Sequence, residues 1–196
     1  DNATYSMRRM NGDEWDYTDS QTLTQILNYK SWDIITLQQA SAEIGRSTTY
    51  SNLTNLVNAI RNVVGNTPKL YWHQTWAYDS EYMEYYDYFS YFNNNQNTMY
   101  NALNACYESE VAPLGIFEKF IPAGTAVQNL RTSYMKDTFS RDGKHMSSVH
   151  GRYLLGLNFI STVMNIDLDL SPSSYLPNEV NSSFNNVAYE SVRNAR

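Results

Sequence analysis

Hydrophobic residues recur at three- and four-residue steps in some stretches of the chain and bunch into short runs in others. Leu23, Ile26 and Leu27 share one helical face behind Asp19 or Ser20, either of which can cap it. Leu53, Leu56, Val57, Ile60 and Val64 form a longer stripe, ended by Gly65 and Pro68. Met99, Ala102, Leu103 and Cys106 give a third stripe. Val149, Tyr153, Leu157 and Ile160 give a fourth, from Ser147 to about Val163. The short runs are "WDIITL" from Trp32 to Leu37, "KLYWHQTW" from Lys69 and "GIFEKFIPAG" from Gly115. They are rich in branched and aromatic residues and read as buried strands. A last helix is expected over 179–193, beyond a Ser-, Asn- and Pro-rich stretch.

Strand and helix therefore alternate three times, the pattern of an α/β fold with a parallel sheet and crossover helices. In such sheets the reactive side chains gather past the carboxyl ends of the strands. Gln38, Gln39 and Ser41 follow the first run. His73, Gln74, Thr75, Trp76 and Tyr78 close or follow the second, and Gly124, Thr125, Gln128 and Asn129 follow the third. Eleven of the 21 tyrosines and tryptophans lie between Tyr71 and Tyr107, a surface suited to a glycan or a protein partner.

The chain has 196 residues, enough for one packed domain, expected over 1–170 with a C-terminal extension over 171–196. A formal charge of −6 argues against nucleic acid as a partner. Cys106 is the single cysteine, so no intrachain disulfide forms, and its apolar stripe points to the core. No apolar run reaches the length of a membrane span, and the polar, aromatic opening "DNATYSMRRMNGDEW" does not read as a signal peptide. The first residue is not Met, which suggests a processed or trimmed chain.

The chemistry centres on "FSRDGKHMSSVHGRYLLGLNF", where Asp142 precedes His145 by three residues. A histidine is a general base near neutral pH, and a carboxylate one turn away fixes its tautomer and supports the imidazolium. The alternative is an ordinary turn with Asp142 on backbone groups and His145 exposed. Ser147 or Ser148 can cap the helix that follows. His73, His145 and His150 lack the spacing of a metal site. Gln38 or Gln39 could donate to an oxyanion, and Arg131 and Arg141 could meet an acidic substrate group or simply solvent.

Taken in order, "WDIITLQQAS", "YWHQTWAY", "IPAGTAVQNLRTS" and "FSRDGKHMSSVHGRYLLGLNF" resemble the SGNH-like (GDSL-type) hydrolases, in particular the DUF4886 group common in gut Bacteroidetes. The resemblance runs from about Tyr5 to Phe159. It implies a flavodoxin-like three-layer α/β/α sandwich. It also implies ester hydrolysis, with deacylation of a carbohydrate or other small ester as the expected reaction and no metal or organic cofactor. His145 would take the proton of a nucleophilic Ser, and Asp142 would orient His145. Gln38, Gln39, Ser41, His73, Gln74, Trp76 and Tyr78 would line the oxyanion and substrate pocket.

In such families the Ser sits in an opening "GNS" or "GDS" block, which this sequence does not contain. The Ser is then expected from upstream sequence, or from a separate N-terminal fragment or second chain that completes the sheet. Ser41, Ser140 and Ser148 lie near the rim but in no nucleophile elbow. The alternative is a degenerate relative that binds carbohydrate or a partner through its aromatic stretch. The family context implies a periplasmic, surface or secreted bacterial protein.

Overall fold

The computed structural model describes residues 3–82, 88–168 and 177–196. They fall into two units, one made of 1–35 and 51–69, the other of 36–50 and 70–196. Of the expected C-terminal extension, 171–176 lies outside the described residues, as does 83–87 of the aromatic stretch.

The first unit opens with a hairpin of β1 (Tyr5–Asn11) and β2 (Glu14–Gln21), antiparallel, with an irregularity between Tyr5 and Met7. Gly12 makes its turn at φ +63°, where a side chain is disfavoured. Neither face of the hairpin is apolar throughout. On one, Arg9 lies 3.8 Å from Asp16 and 4.7 Å from the centre of the Tyr29 ring. On the other, Met10, Trp15 and Tyr17 are exposed.

Helix α1 (Leu23–Leu27) begins later than the sequence suggests, because Thr22, not Asp19 or Ser20, is its cap. Thr22 Oγ1 accepts from Gln25 N–H, and Gln25 Oε1 accepts from Thr22 N–H, a reciprocal capping box. Asp19 is engaged with Ser6 Oγ at 2.6 Å, and Ser20 sits at φ +57°. Helix α2 (Leu53–Val64) buries Leu53, Val57 and Ile60 and stops at Gly65.

Strands β3 (Ile34–Leu37), β4 (Lys69–His73) and β5 (Lys119–Ile121) form a three-stranded parallel sheet in that order. β4 is shorter than its apolar run. Gln74 N–H still bonds Ile121 C=O at 3.0 Å, but Pro122 then leads the partner strand into a helix and no ladder remains. Side-chain alternation sends Lys119 and His73 to one face. There Lys119 Nζ donates to the carbonyls of Thr162 and Val163, and His73 meets the Phe159 ring at 6.0 Å. Trp72 and Phe120 take the other face, with Tyr50 and the stacked ring of Tyr107. Helical residues thus cover both faces of the sheet within the second unit.

That unit holds α3 (Gln96–Cys106), α4 (Ala123–Arg131), α5 (His150–Met164) and α6 (Ser182–Arg193). Asn95 and Asn181 cap α3 and α6 through their side chains. Ser147 Oγ accepts from Gly151 N–H at the start of α5. Helix α4 needs Gly124, since a Cβ there would lie 2.3 Å from the Thr75 carbonyl oxygen. Cys106 is buried, and Leu130, Phe139, Leu154 and Phe184 anchor the core that α4, α5 and α6 share. No helix among the described residues is long and apolar enough to cross a membrane.

Candidate functional site

The segment between α4 and α5 closes into a small loop. Ser147 N–H donates to Phe139 C=O and Arg141 N–H to His145 C=O, both at 2.9 Å, with Ser140 and Met146 paired between them. Gly143 forms the tip at φ +83°, a conformation that suits glycine. Its missing Cβ also matters, because a Cβ would lie 2.8 Å from Tyr82 Cδ2.

This loop brings Asp142 and His145 together. Asp142 Oδ1 accepts from the backbone N–H of His145 at 2.7 Å and of Lys144 at 3.1 Å. Its Oδ2 lies 2.7 Å from His145 Nδ1. With Nδ1–H facing the carboxylate, Nε2 is the ring's basic atom, and among the described residues it has no hydrogen-bond partner. Burial pushes the Asp142 carboxyl up. The backbone N–H and ring of His145, and Lys144 N–H, outweigh this and hold it at about 2, so the acid is ionised wherever the imidazole is useful. Both side chains stay accessible, with exposures of 44% and 50%, as a pair that handles protons for an outside molecule requires.

The loop is anchored from the segment after β4. Asp79 N–H donates to Gly143 C=O at 2.7 Å, and Trp76 Nε1–H to Lys144 C=O at 2.7 Å. Asp79 Oδ2 accepts from Ser140 Oγ, which in turn accepts Gly143 N–H at 3.2 Å. Behind them stands Arg131, its side chain only 4% exposed. It donates to Asp79 Oδ1 and Asp137 Oδ1 at 2.7 Å each, to Ala77 C=O at 2.9 Å and to Gln128 Oε1 at 3.2 Å. Arg131 therefore meets neither solvent nor an acidic substrate; its partners are internal. Burial pushes Asp79 above the usual carboxylate range despite Ser140 and Arg131, whereas Asp137, also raised by burial, ends below that range because Ser80, Arg131 and Gln96 hold it.

The other residues singled out from sequence are placed as follows. Gln38 is exposed, while Gln39 donates to the Thr49 carbonyl and hydroxyl at 3.1 Å each. Ser41 Oγ lies 3.4 Å from Tyr78 OH, and Tyr78 is buried. Gln74 is buried as a clamp, donating to Asn104 Oδ1 and accepting from Thr125 N–H. His73 faces α5, with Nε2 sealed and burial lowering its basicity. Gln39, Gln74 and Thr75 border a cavity of only about 10 Å³, too small for a ligand. Trp76 is half-buried against the core, its indole N–H engaged with the loop. The pair Asp142–His145 is brought together; Gln39, His73, Gln74, Trp76 and Tyr78 make internal contacts, and Gln38 is exposed.

Arg141 lies beside the pair, its Nε 3.6 Å from Asp142 Oδ2, and His150 packs against Phe184 with ring centres 4.5 Å apart. Sequence reading did not single out Asp79, whose partners in this network are Gly143, Ser140 and Arg131. A cleft of about 590 Å³ borders the turn, lined by Ser80, Tyr82, Lys136, Thr138, Asp142 and Gly143 among others. Among the described residues no group of three His, Cys, Asp or Glu side chains is arranged to hold a metal ion.

A family model described as "Domain of unknown function (DUF4886)" matches residues 1–195. A crystal structure of a DUF4886 family protein from Bacteroides uniformis ATCC 8492 is similar over 97% of this chain and 73% of its own, at 32% identity and a TM-score of 0.87. No curated protein matches the chain.

Proposed function

The chain belongs to the DUF4886 family, and from its loop chemistry we propose that it carries the histidine–aspartate half of a serine ester hydrolase of the SGNH type. The fold on this reading is the flavodoxin-like three-layer sandwich. The support is a parallel sheet with helical residues on both faces and a reactive loop between its last strand and a long helix.

The observation that carries the proposal is the 2.7 Å contact of Asp142 Oδ2 with His145 Nδ1, with Oδ1 fixed by two backbone N–H groups. In the reaction Nε2 takes the proton of a serine hydroxyl as its oxygen attacks the ester carbonyl. The imidazolium, balanced by Asp142, then gives that proton to the departing alcohol. Water repeats the cycle to free the acid and regenerate the serine. The serine comes from polypeptide other than these residues, and the substrate is an acylated carbohydrate. Gln38, the exposed member of its pair, is the better donor to the oxyanion, since Gln39 is engaged with Thr49. The setting is the periplasm, surface or exterior of a bacterial cell.

The test uses the full-length protein on aryl acetates and acetylated sugars. His145→Ala should lower kcat/KM by about 10³-fold or more. Turnover that survives this change would refute the proposal.

A further inference from the structure

We infer that Trp76 and Asp79 are positioning residues for the Asp142–His145 pair, acting through the peptide groups of the turn and never on substrate; the effect on turnover rests on the ester-hydrolase reading above. The two carbonyls inside the turn are each held by a donor from one segment. Gly143 C=O takes Asp79 N–H, and Lys144 C=O takes Trp76 Nε1–H, both at 2.7 Å. Gly143 is gripped a second time, since its N–H reaches Ser140 Oγ, which donates to the Asp79 carboxylate. Arg131, buried and bonded to Asp79, Asp137 and the Ala77 carbonyl, fixes that segment from behind.

Magnitudes show why the pair needs this support. Asp142 and His145 are about half exposed, and a contact between exposed side chains contributes little because water competes for both partners. That is too little to hold a ring in one orientation against solvent. The anchors lie in more enclosed surroundings: Asp79 is 6% exposed, and Trp76 packs on the core. The precision of the surface pair is therefore inherited from the segment that follows β4.

The experiment compares Trp76→Phe and Ser140→Ala with the parent in the full-length protein. Trp76→Phe keeps an aromatic ring and removes the donor. Ser140→Ala removes the hydroxyl between Asp79 and Gly143. Ser140→Thr, which retains a hydroxyl, serves as the rescue. Three quantities are read: the His145 Nδ1–H tautomer by ¹⁵N NMR, the Asp142 carboxyl titration by ¹³C NMR, and kcat and KM on an aryl acetate.

For the folded variants kcat should fall about tenfold, the worth of one hydrogen bond, with KM changed by less than about twofold. The Asp142 titration should move up from about 2, and the Nδ1–H tautomer should lose its dominance. Ser140→Thr should restore all three. Parental NMR signatures in both folded variants overturn the inference, whatever happens to turnover. Altered signatures in a protein whose parent hydrolyses no ester uphold the positioning role and sink the hydrolase reading. Should Trp76→Phe not fold, Ser140→Ala and its rescue decide.

Discussion

Replacing Arg131 by Met probes the network behind the loop. The methionine keeps an apolar stem and deletes a guanidinium that is only 4% exposed and bonds two carboxylates, a carbonyl and a side-chain amide. Removing one member of a buried ion pair costs about 3–5 kcal/mol, because the remaining charge is left without compensation. The Asp137 side chain, 29% exposed, can recover water; the Asp79 side chain, 8% exposed, cannot. The expected loss is therefore near the lower end, about 3 kcal/mol at neutral pH.

The pH dependence has a definite sign. Burial already raises the Asp79 carboxyl, and without Arg131 it climbs further. A carboxyl raised in the folded state contributes its stability below the unfolded value of about 3.9 and loses it as pH rises through the folded value. The variant's deficit should thus be larger at about pH 7.5 than at about pH 4.5. Urea unfolding at the two pH values measures it. Adding Asp79→Asn to Arg131→Met should cost less than the sum of the single changes, by about 1–3 kcal/mol. A neutral-pH loss under about 1 kcal/mol, or a deficit that grows toward acid, would refute the reasoning.

Gly143→Ala should cost about 1–2 kcal/mol from its φ of +83° and displace Tyr82, visible as a lower unfolding midpoint and, on the ester-hydrolase proposal, reduced turnover. If the chain works as the proposed ester hydrolase, Asp142→Asn should lower kcat by about 10²–10⁴-fold, and an unchanged kcat would refute the catalytic role proposed for the pair. The Asp142 carboxyl is depressed to about 2, so its contribution to stability is present above about 3.9 and lost as pH falls toward about 2; acid titration of the Asn variant should lack that component. Asn158 is fully buried with both side-chain polar atoms unpartnered among the described residues. Asn158→Leu should therefore raise the unfolding free energy by about 1–2 kcal/mol, and a fall would show that its amide matters.

Local patterns were legible and distant ones were not. The α2 stripe and its Gly65 stop are readable because a helix buries residues at a fixed step: Leu53, Val57 and Ile60 are inside, while Leu56, expected with them, is exposed. Asp142 and His145 are readable as a pair because three residues separate them. The β1–β2 hairpin escaped notice, since Arg, Asp and Glu interrupt both of its faces. Helix α4 was hidden because Pro122 leads it without a side-chain cap and its first turn includes Gly124. The anchors Trp76 and Asp79 lie 68 and 61 residues from the Lys144 carbonyl and the Ser140 hydroxyl that their side chains bond, and no spacing rule spans that distance. Arg131 looked like a surface or substrate cation for the same reason: its partners Asp79 and Ala77 are remote in sequence.

His73 ends the middle strand with an imidazole nitrogen walled in beside Phe159. A proton accepted there would sit in an apolar seam, so below about pH 6.5 an unfolded chain competes for it on better terms, and cohesion between β4 and α5 drains away as the medium turns sour. His73 thus places one source of acid sensitivity in the sheet itself, apart from anything the surface loop does.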